Sequence, residues 1–400
     1  MKAVFDDPQF SFQMLRMLGS AAQGGADVGE CLSTAYRIKE GDFESWHSEW
    51  LKTAERVHGV ADDCLERGHD VSAREAYMRA ANYYRTAEFY LHSDPTDPRI
   101  LELTGKGQAC FGEAVRLSPL DIGAIEISYE GTMLPGYFYR AAGSGGPGAV
   151  LIAQQGFDGT QEELHGMGVA ANARGIHCVT FEGPGQGRVI REQGLPFRPD
   201  WEAVVTPVID RTVSLPEVDP DRVAILGLSF GGYMAPRAAA FDHRLAACIA
   251  NGGVFDFMGG KLPPGMTGEQ MREYIRSDPD GMDKGMATMM ESSTEMRWAV
   301  QNGMFTFKAT SPADWFLKSL DYTLEGVADK VECPTLVIDT ESEQFFPGAA
   351  KQLFDALTCP KTFMLFTAEE GAEDHCQVGT PMLAGQKIFD WLEETLAAIG

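Results

Sequence analysis

The apolar run Val223-Ala224-Ile225-Leu226 leads at once into Gly227-Leu228-Ser229-Phe230-Gly231 and then into the small residues Gly232-Tyr233-Met234-Ala235. A G-x-S-x-G pentapeptide between a buried strand and a helix constrains the chain more than any other feature. A strand feeds directly into a helix only through a sharp turn, and the serine at its apex is held in a strained backbone conformation. Glycines two residues to either side let strand and helix pass closely, where a Cβ would collide. The hydroxyl then stands clear of the strand, where a histidine can reach it. The pentapeptide alone is a weak signal; its strand–helix setting makes Ser229 the candidate nucleophile. The bland alternative is a small-residue crossing with an idle serine.

Around this turn the period is that of alternating strands and helices. Ile125 to Tyr129 and Leu134 to Tyr139 predict paired antiparallel strands about Glu130-Gly131-Thr132, Gly143 to Gly148 a flexible turn, and Ala149 to Gln154 a buried strand. There follow a helix from about Gln161, strand Ile176 to Phe181, a helix after Asp200, strand Val223 to Leu226, the helix after Ser229, and strand Ala246 to Asn251. Strands Thr335 to Asp339 and Thr362 to Phe366 resume the series, and a helix over Pro381 to Ala398 follows them. Such alternation implies an α/β fold with a mostly parallel sheet covered on both faces.

Two regions depart from it. The first ~120 residues read as helix after helix. The clearest helix begins at Ser72, where Ser72-Ala73-Arg74-Glu75 fits a capping box, and Ala73, Ala76, Tyr77, Ala80, Tyr84, Ala87 and Leu91 make one apolar stripe. No second copy recurs at a fixed period, which argues against a solenoid. Between Gly252 and Val327 the series is interrupted by a stretch holding Met258, Met266, Met271, Met282, Met286, Met289, Met290, Met296 and Met304 with Trp298 and Trp315. An insertion after the strand that follows the Ser229 helix is where a cap would sit, and methionine-rich helices make adaptable apolar surface for a bulky ligand. With 400 residues exceeding one ordinary core, the expected organisation is a helical N-terminal domain over 1–121, a core in two parts over 122–251 and 328–400, and a helical cap insertion over 252–327.

Composition narrows the partners. A formal net charge of -25 repels nucleic acid and anionic membrane. Acids and a proline occupy Met1 to Pro8, where a signal peptide would need an apolar run, and no stretch approaches the ~18 apolar residues of a membrane span. The expected setting is cytoplasmic, with a small-molecule substrate. The eight cysteines are scattered without a C-x-x-C pair; Cys178 and Cys248 fall in strand patterns, and Cys376 is read as a bystander beside His375. No His/Cys/carboxylate cluster has metal-ligand spacing, and neither a metal nor a cofactor is expected. Glu182-Gly183-Pro184-Gly185-Gln186-Gly187 lacks the Lys-Ser/Thr of a phosphate-binding loop and reads as a tight strand-exit turn beside the site.

A serine nucleophile needs a base, and the base an orienting acid, here in the chain order Ser, acid, His. His47, His58, His69 and His92 lie in the helical region, His165 and His177 precede the serine, and His243 follows it too closely. That leaves His375, beyond the last strand, as general base. Asp339, Glu341 and Glu343 compete for the acid. Two backbone N–H groups should hold an oxyanion, one from Phe230 directly after the serine and one from Phe157 in the loop Gln155-Gly156-Phe157-Asp158-Gly159-Thr160.

With these residues the chain resembles the α/β-hydrolase superfamily, in particular the branch of 2,6-dihydroxypseudooxynicotine hydrolase and the fungal polyketide-shortening hydrolases of pigment biosynthesis. The fermentation–respiration switch proteins are more distant. The resemblance spans nearly the whole chain and rests on Gly41 to Trp46, Arg79 to Phe89, Gly156 to Glu163, Gly183 to Gly187 and Gly371 to Cys376. It implies a helical N-terminal domain, a Ser/acid/His triad, commonly a homodimer and, in several relatives, cleavage of a carbon–carbon bond beside a ketone. The acid of this pattern stands four residues before a proline; counting back from Pro347 gives Glu343, where Asp is usual. The expected activity is C–C hydrolysis of a β-diketone or acyl-phenol. Alternatives are a carboxylesterase or lactonase, an acyl transferase, and a non-catalytic binding or regulatory protein on the same scaffold.

Overall fold

Short apolar bursts bounded by glycine, proline or acids form the strands. The computed structural model describes residues 1–142 and 146–399; of the turn expected over 143–148, residues 143–145 lie outside it. β1 (Asp121–Tyr129) and β2 (Thr132–Arg140) meet at Glu130-Gly131, both at positive φ, the backbone that a two-residue hairpin turn requires. β3 (Gly148–Gln154), β4 (His177–Phe181), β5 (Val218–Leu228), β6 (Leu245–Asn251), β7 (Thr335–Thr340) and β8 (Lys361–Phe366) complete an eight-stranded sheet. Its order is β1-β2-β4-β3-β5-β6-β7-β8. β4 runs antiparallel to β2, and the pairings from β4 through β8 are parallel. β3 and β4 are buried at every position, as strands covered on both faces must be.

The helices are α1 (Pro8–Gly19), α2 (Val28–Ala35), α3 (Phe43–Glu66), α4 (Asp70–Glu88), α5 (Pro98–Arg116), α6 (His165–Asn172), α7 (Glu202–Val213) and α8 (Gly231–Ala239). Beyond β6 come α9 (Gly268–Ser277), α10 (Pro279–Ser292), α11 (Thr294–Thr306), α12 (Pro312–Ser319), α13 (Ala349–Ala356) and α14 (Pro381–Ile399). They belong to two units. One is Met1–Ile122 with Thr288–Phe305, the other Gly123–Ala287 with Thr306–Gly400.

In the helical unit α4 packs against α3 and α5. The alanines of its stripe are fully buried with Tyr77, Tyr83 and Tyr84. The helix begins two residues before the expected Ser72 cap: Asp70 already lies in its first turn, and Ser72 is exposed. An acid in the first turn complements the helix dipole, which favours the earlier start.

Residues 252–327, expected as one cap, are divided between the units. Long-range contacts decide where 288–305 belongs. Trp298 stacks on Phe89 with centroids 5.4 Å apart, and buried Asn302 Oδ1 is 2.8 Å from His92 Nδ1. Arg297 lies 3.8 Å over the Phe43 ring and donates to Gly41 O at 2.6 Å.

In the sheet unit β3 has β4 on one side and β5 on the other. The chain therefore leaves β3 in one direction and returns past it to form β5. At such a switch point the loops at the carboxyl ends of the two neighbouring strands open a crevice where ligands bind. Here those loops are Gln155–Thr160 and the turn at Ser229. Among the described residues no helix is long and apolar enough to cross a membrane.

Ile225 is fully buried and lies level with Ile152 and Cys248 on the adjoining strands. Ile225→Ala should cost ~2–5 kcal/mol in urea unfolding of the full chain. Leu101→Ala on the exposed side of α5 should change it by less than ~0.5 kcal/mol. Similar losses for the two would contradict this placement of the core.

Candidate active site

β5 ends at Leu228 and α8 begins at Gly231, so only Ser229 and Phe230 turn the chain. Ser229 has φ 60°, left-handed and rare for a residue with a side chain. Its N–H donates to Asn251 O at 2.8 Å, and its carbonyl accepts the Gly232 N–H at 2.7 Å. A Cβ on Gly227 would lie 1.9 Å from Gly231 O, so the crossing tolerates nothing larger than glycine.

The apex hydroxyl meets a hydrogen-bonded chain of side chains. Ser229 Oγ is 2.8 Å from His375 Nε2, and His375 Nδ1 is 2.6 Å from Glu343 Oε2. His375 comes from the loop between β8 and α14 and is buried. Glu343 comes from the loop after β7, where its Oε1 accepts the N–H groups of Phe345 at 2.9 Å and Phe346 at 3.1 Å. That turn leaves Oε2 facing the imidazole, and the rings of Phe345 and Phe346 flank it at 4.9 and 5.9 Å. The rival acids go elsewhere: Glu341 Oε2 accepts the Ala368 N–H, and Asp339 Oδ1 accepts the Thr340 N–H.

The charges support one another. Burial alone would raise the Glu343 carboxyl, but the His375 charge and hydrogen bond with the two backbone N–H groups outweigh it and hold its pKa below the usual range. Burial works against a charged His375, yet the adjoining Cys376 sulfur and the Glu343 carboxylate hold its pKa well above the ordinary value. Cys376, set aside from sequence as a bystander, has Sγ 3.5 Å from His375 Nε2. Its left-handed backbone, φ 53°, turns the sulfur back on its neighbour, a conformation that the sequence does not announce.

The Gln155–Thr160 loop lies against the elbow. A Cβ on Gly156 would fall 2.6 Å from both Leu228 O and Phe230 N. Phe230 stands at the start of α8, and among the described residues no acceptor takes its N–H. Phe157, next to Gly156, is buried with its ring among Phe197, Phe257 and Phe307. Among the described residues no group of three or more His, Cys, Asp or Glu is placed to hold a metal ion.

A model for the alpha/beta hydrolase family matches residues 148–382, and one described as esterase FrsA-like matches residues 16–260. The chain belongs to the α/β-hydrolase family. "Hydrolase LUC6" of Fusarium sp is 34% identical over 415 residues, covering 99% of this chain and 98% of the relative. "20-hydroxy-prefusarin hydrolase FUS2" of Gibberella moniliformis is 35% identical over 417 residues and covers 99% of each. The crystal structure of 2,6-dihydroxy-pseudo-oxynicotine hydrolase has the same fold, with TM-score 0.75 and 23% identity over 95% of this chain and 96% of that one.

This α/β-hydrolase is thus an enzyme whose sheet brings together Ser229, His375 and Glu343, and sets Phe230 beside the Gln155–Thr160 loop. In such an arrangement an imidazole can take a proton from a serine hydroxyl while a carboxylate fixes its tautomer. Because the Glu343 charge favours the imidazolium, Glu343→Gln should lower the His375 pKa. Ring-proton NMR of His375 across pH should show its midpoint moving to lower pH in that variant. An unchanged or higher midpoint would refute the coupling.

Proposed function

We propose that this hydrolase cleaves a carbon–carbon bond beside a ketone, in a β-diketone or acyl-phenol of polyketide or aromatic type, by nucleophilic catalysis at Ser229. The observation that carries the serine part is the unbroken chain Ser229 Oγ, His375, Glu343 at 2.8 and 2.6 Å on the apex of the strand–helix turn. The substrate class draws support from the 35% identical relative named a 20-hydroxy-prefusarin hydrolase. It is also compatible with the buried aromatic cluster beside the serine, where the Phe230 ring lies 4.4 Å from Phe257 and 5.3 Å from Tyr322, with Phe307 5.1 Å from Tyr322.

In this reading His375 Nε2 takes the Ser229 proton as Oγ bonds to the ketone carbon, and the carbonyl electrons move to oxygen. The N–H groups of Phe230 and Phe157 hold that oxyanion; one such donor is worth ~10²–10³ in kcat. Collapse restores the carbonyl and breaks the C–C bond, leaving its electron pair on the departing carbon, delocalised as an enolate or into a phenol ring. His375 Nε2–H protonates that carbon. It then takes a proton from water as the water attacks the acyl-serine, and returns it to Ser229 Oγ as the acyl–oxygen bond breaks and a carboxylic acid leaves.

A carboxylesterase is the second reading, favoured by the esterase FrsA-like match over residues 16–260. The same residues would expel an alcohol more easily than a carbon.

A fluorophosphonate probe should label the wild type and leave Ser229→Ala unlabelled; equal labelling removes the serine reading. Offered 1,3-diketones, acyl-phenols and simple esters, the enzyme should turn over the ketones, and turnover of esters alone favours the second reading. Glu343→Gln should cost about 10²–10⁴-fold in kcat, with Glu341→Gln near wild type. Equal losses would sink the assignment of the acid.

A further inference from the structure

The turn Glu182-Gly183-Pro184-Gly185-Gln186-Gly187, which leaves β4, takes no part in the serine–histidine–glutamate chain. Its two polar side chains are nonetheless almost wholly buried, Glu182 at 1% and Gln186 at 2% exposure. Buried amides and carboxylates persist only where their hydrogen bonds are met. Here both side chains find partners, and each has at least one in or directly after the loop that bears Phe157.

Gln186 uses both ends of its amide. Oε1 accepts the Gly183 N–H at 3.0 Å, which closes the turn on itself. Nε2 donates to Gln155 O at 2.6 Å and to Gly156 O at 3.3 Å. The peptide joining Gly156 to Phe157 is planar and trans, so its carbonyl and its N–H point to opposite sides. A carbonyl drawn to Gln186 therefore turns the Phe157 N–H away from Gln186. On its other side the loop meets the elbow, where a Gly156 Cβ would fall 2.6 Å from Phe230 N and 3.0 Å from Ser229 Cβ.

Glu182 holds the far end of the same loop. Its Oε1 accepts the Gln161 N–H at 3.1 Å and its Oε2 the Arg188 N–H at 2.8 Å. Gly187 makes room for this: a Cβ there would lie 1.8 Å from Glu182 Oε1. The segment from Gln155 to Gln161 is thus tied to one rigid turn at both ends.

We propose that Gln186 is a positioning residue that orients the Gly156–Phe157 peptide so that the Phe157 N–H faces the oxyanion, with Glu182 anchoring the loop's other end. The inference rests on the reading of Ser229 as nucleophile and Phe157 as donor. Only a side chain with a donor at one terminal atom and an acceptor at the other satisfies both the turn and the loop. Glutamate has the size without the donor, and methionine has the length without either.

The test uses the full chain, with p-nitrophenyl butyrate as reporter ester. An aryl trifluoromethyl ketone serves as a probe whose serine adduct carries an oxyanion, and the matching secondary alcohol as a probe that carries none. Gln186→Glu and Gln186→Met should each lower kcat about 10–10²-fold, less than the ~10²–10³ of outright donor loss, with KM within about threefold. Inhibition by the ketone should weaken by the same factor as kcat, and inhibition by the alcohol should hold. If one variant fails to fold, the other carries the same comparison.

Retained kcat and ketone inhibition in either folded variant overturns the inference. So does equal weakening of ketone and alcohol, the mark of a turn that merely packs. Ser229→Ala separates the two readings. If it is inactive while the Gln186 variants match wild type, Gln186 alone is misassigned. If it keeps wild-type turnover, the serine reading falls and this inference with it.

Discussion

Ser229 holds its left-handed backbone with its N–H fixed to Asn251 on the neighbouring strand. A non-glycine residue at φ 60° carries strain of ~1–3 kcal/mol and persists where its surroundings over-determine it. Parallel pairing of β5 with β6 continues to Leu228 opposite Asn251, whose carbonyl then accepts the Ser229 N–H. The Asn251 side chain faces the other way in the network. It exchanges two hydrogen bonds with the Gln377 amide, at 2.9 and 3.2 Å, and Cys376 Sγ lies 3.6 Å from its carbonyl. One buried asparagine therefore locks the serine turn to the histidine loop, although 125 residues of chain separate that asparagine from Cys376. The 2.8 Å reach from Oγ to Nε2 follows from that lock rather than from any property of Ser229 or His375 alone.

How far such a site can be read from sequence depends on the range of the forces that build it. The strands are local: seven or fewer apolar residues between turn residues, and each expected strand is present with ends displaced by a few residues. β5 shows the limit, since it reaches back to Val218, opposite Gly148, through Asp219, Pro220 and Asp221, a polar stretch where its register against β3 shifts. The strand–helix pentapeptide singles out Ser229 and chain order His375, and the two do come together. Chain order alone leaves Asp339, Glu341 and Glu343 open and only the spacing to Pro347 points to Glu343, because in the structure the choice is made by a turn. The N–H groups of Phe345 and Phe346 capture one oxygen of Glu343 and so aim the other. The division of the methionine-rich insertion was beyond reach for a similar reason, resting on Asn302 meeting His92 across 210 residues.

Glutamate in place of the more usual aspartate is physically consistent with that turn. A buried carboxylate needs its lone pairs met, and Glu343 meets them with two backbone N–H groups on one oxygen and the imidazole on the other. The longer side chain lets the loop stand farther from the histidine while both oxygens stay occupied. The rings of Phe345 and Phe346 fill the space around the imidazole and keep water from competing for it.

In the proposed C–C cleavage the departing carbon must carry its electron pair away, so the tetrahedral oxyanion has to be held long enough for a reluctant carbon to leave. Holding it requires donors that are already aimed, because a peptide that must rotate during the reaction loses most of its worth. In the proposed reaction that preorganisation would come from the bonds from Gln186 to the carbonyls before Phe157 and from the helix start, where among the described residues no acceptor takes the Phe230 N–H.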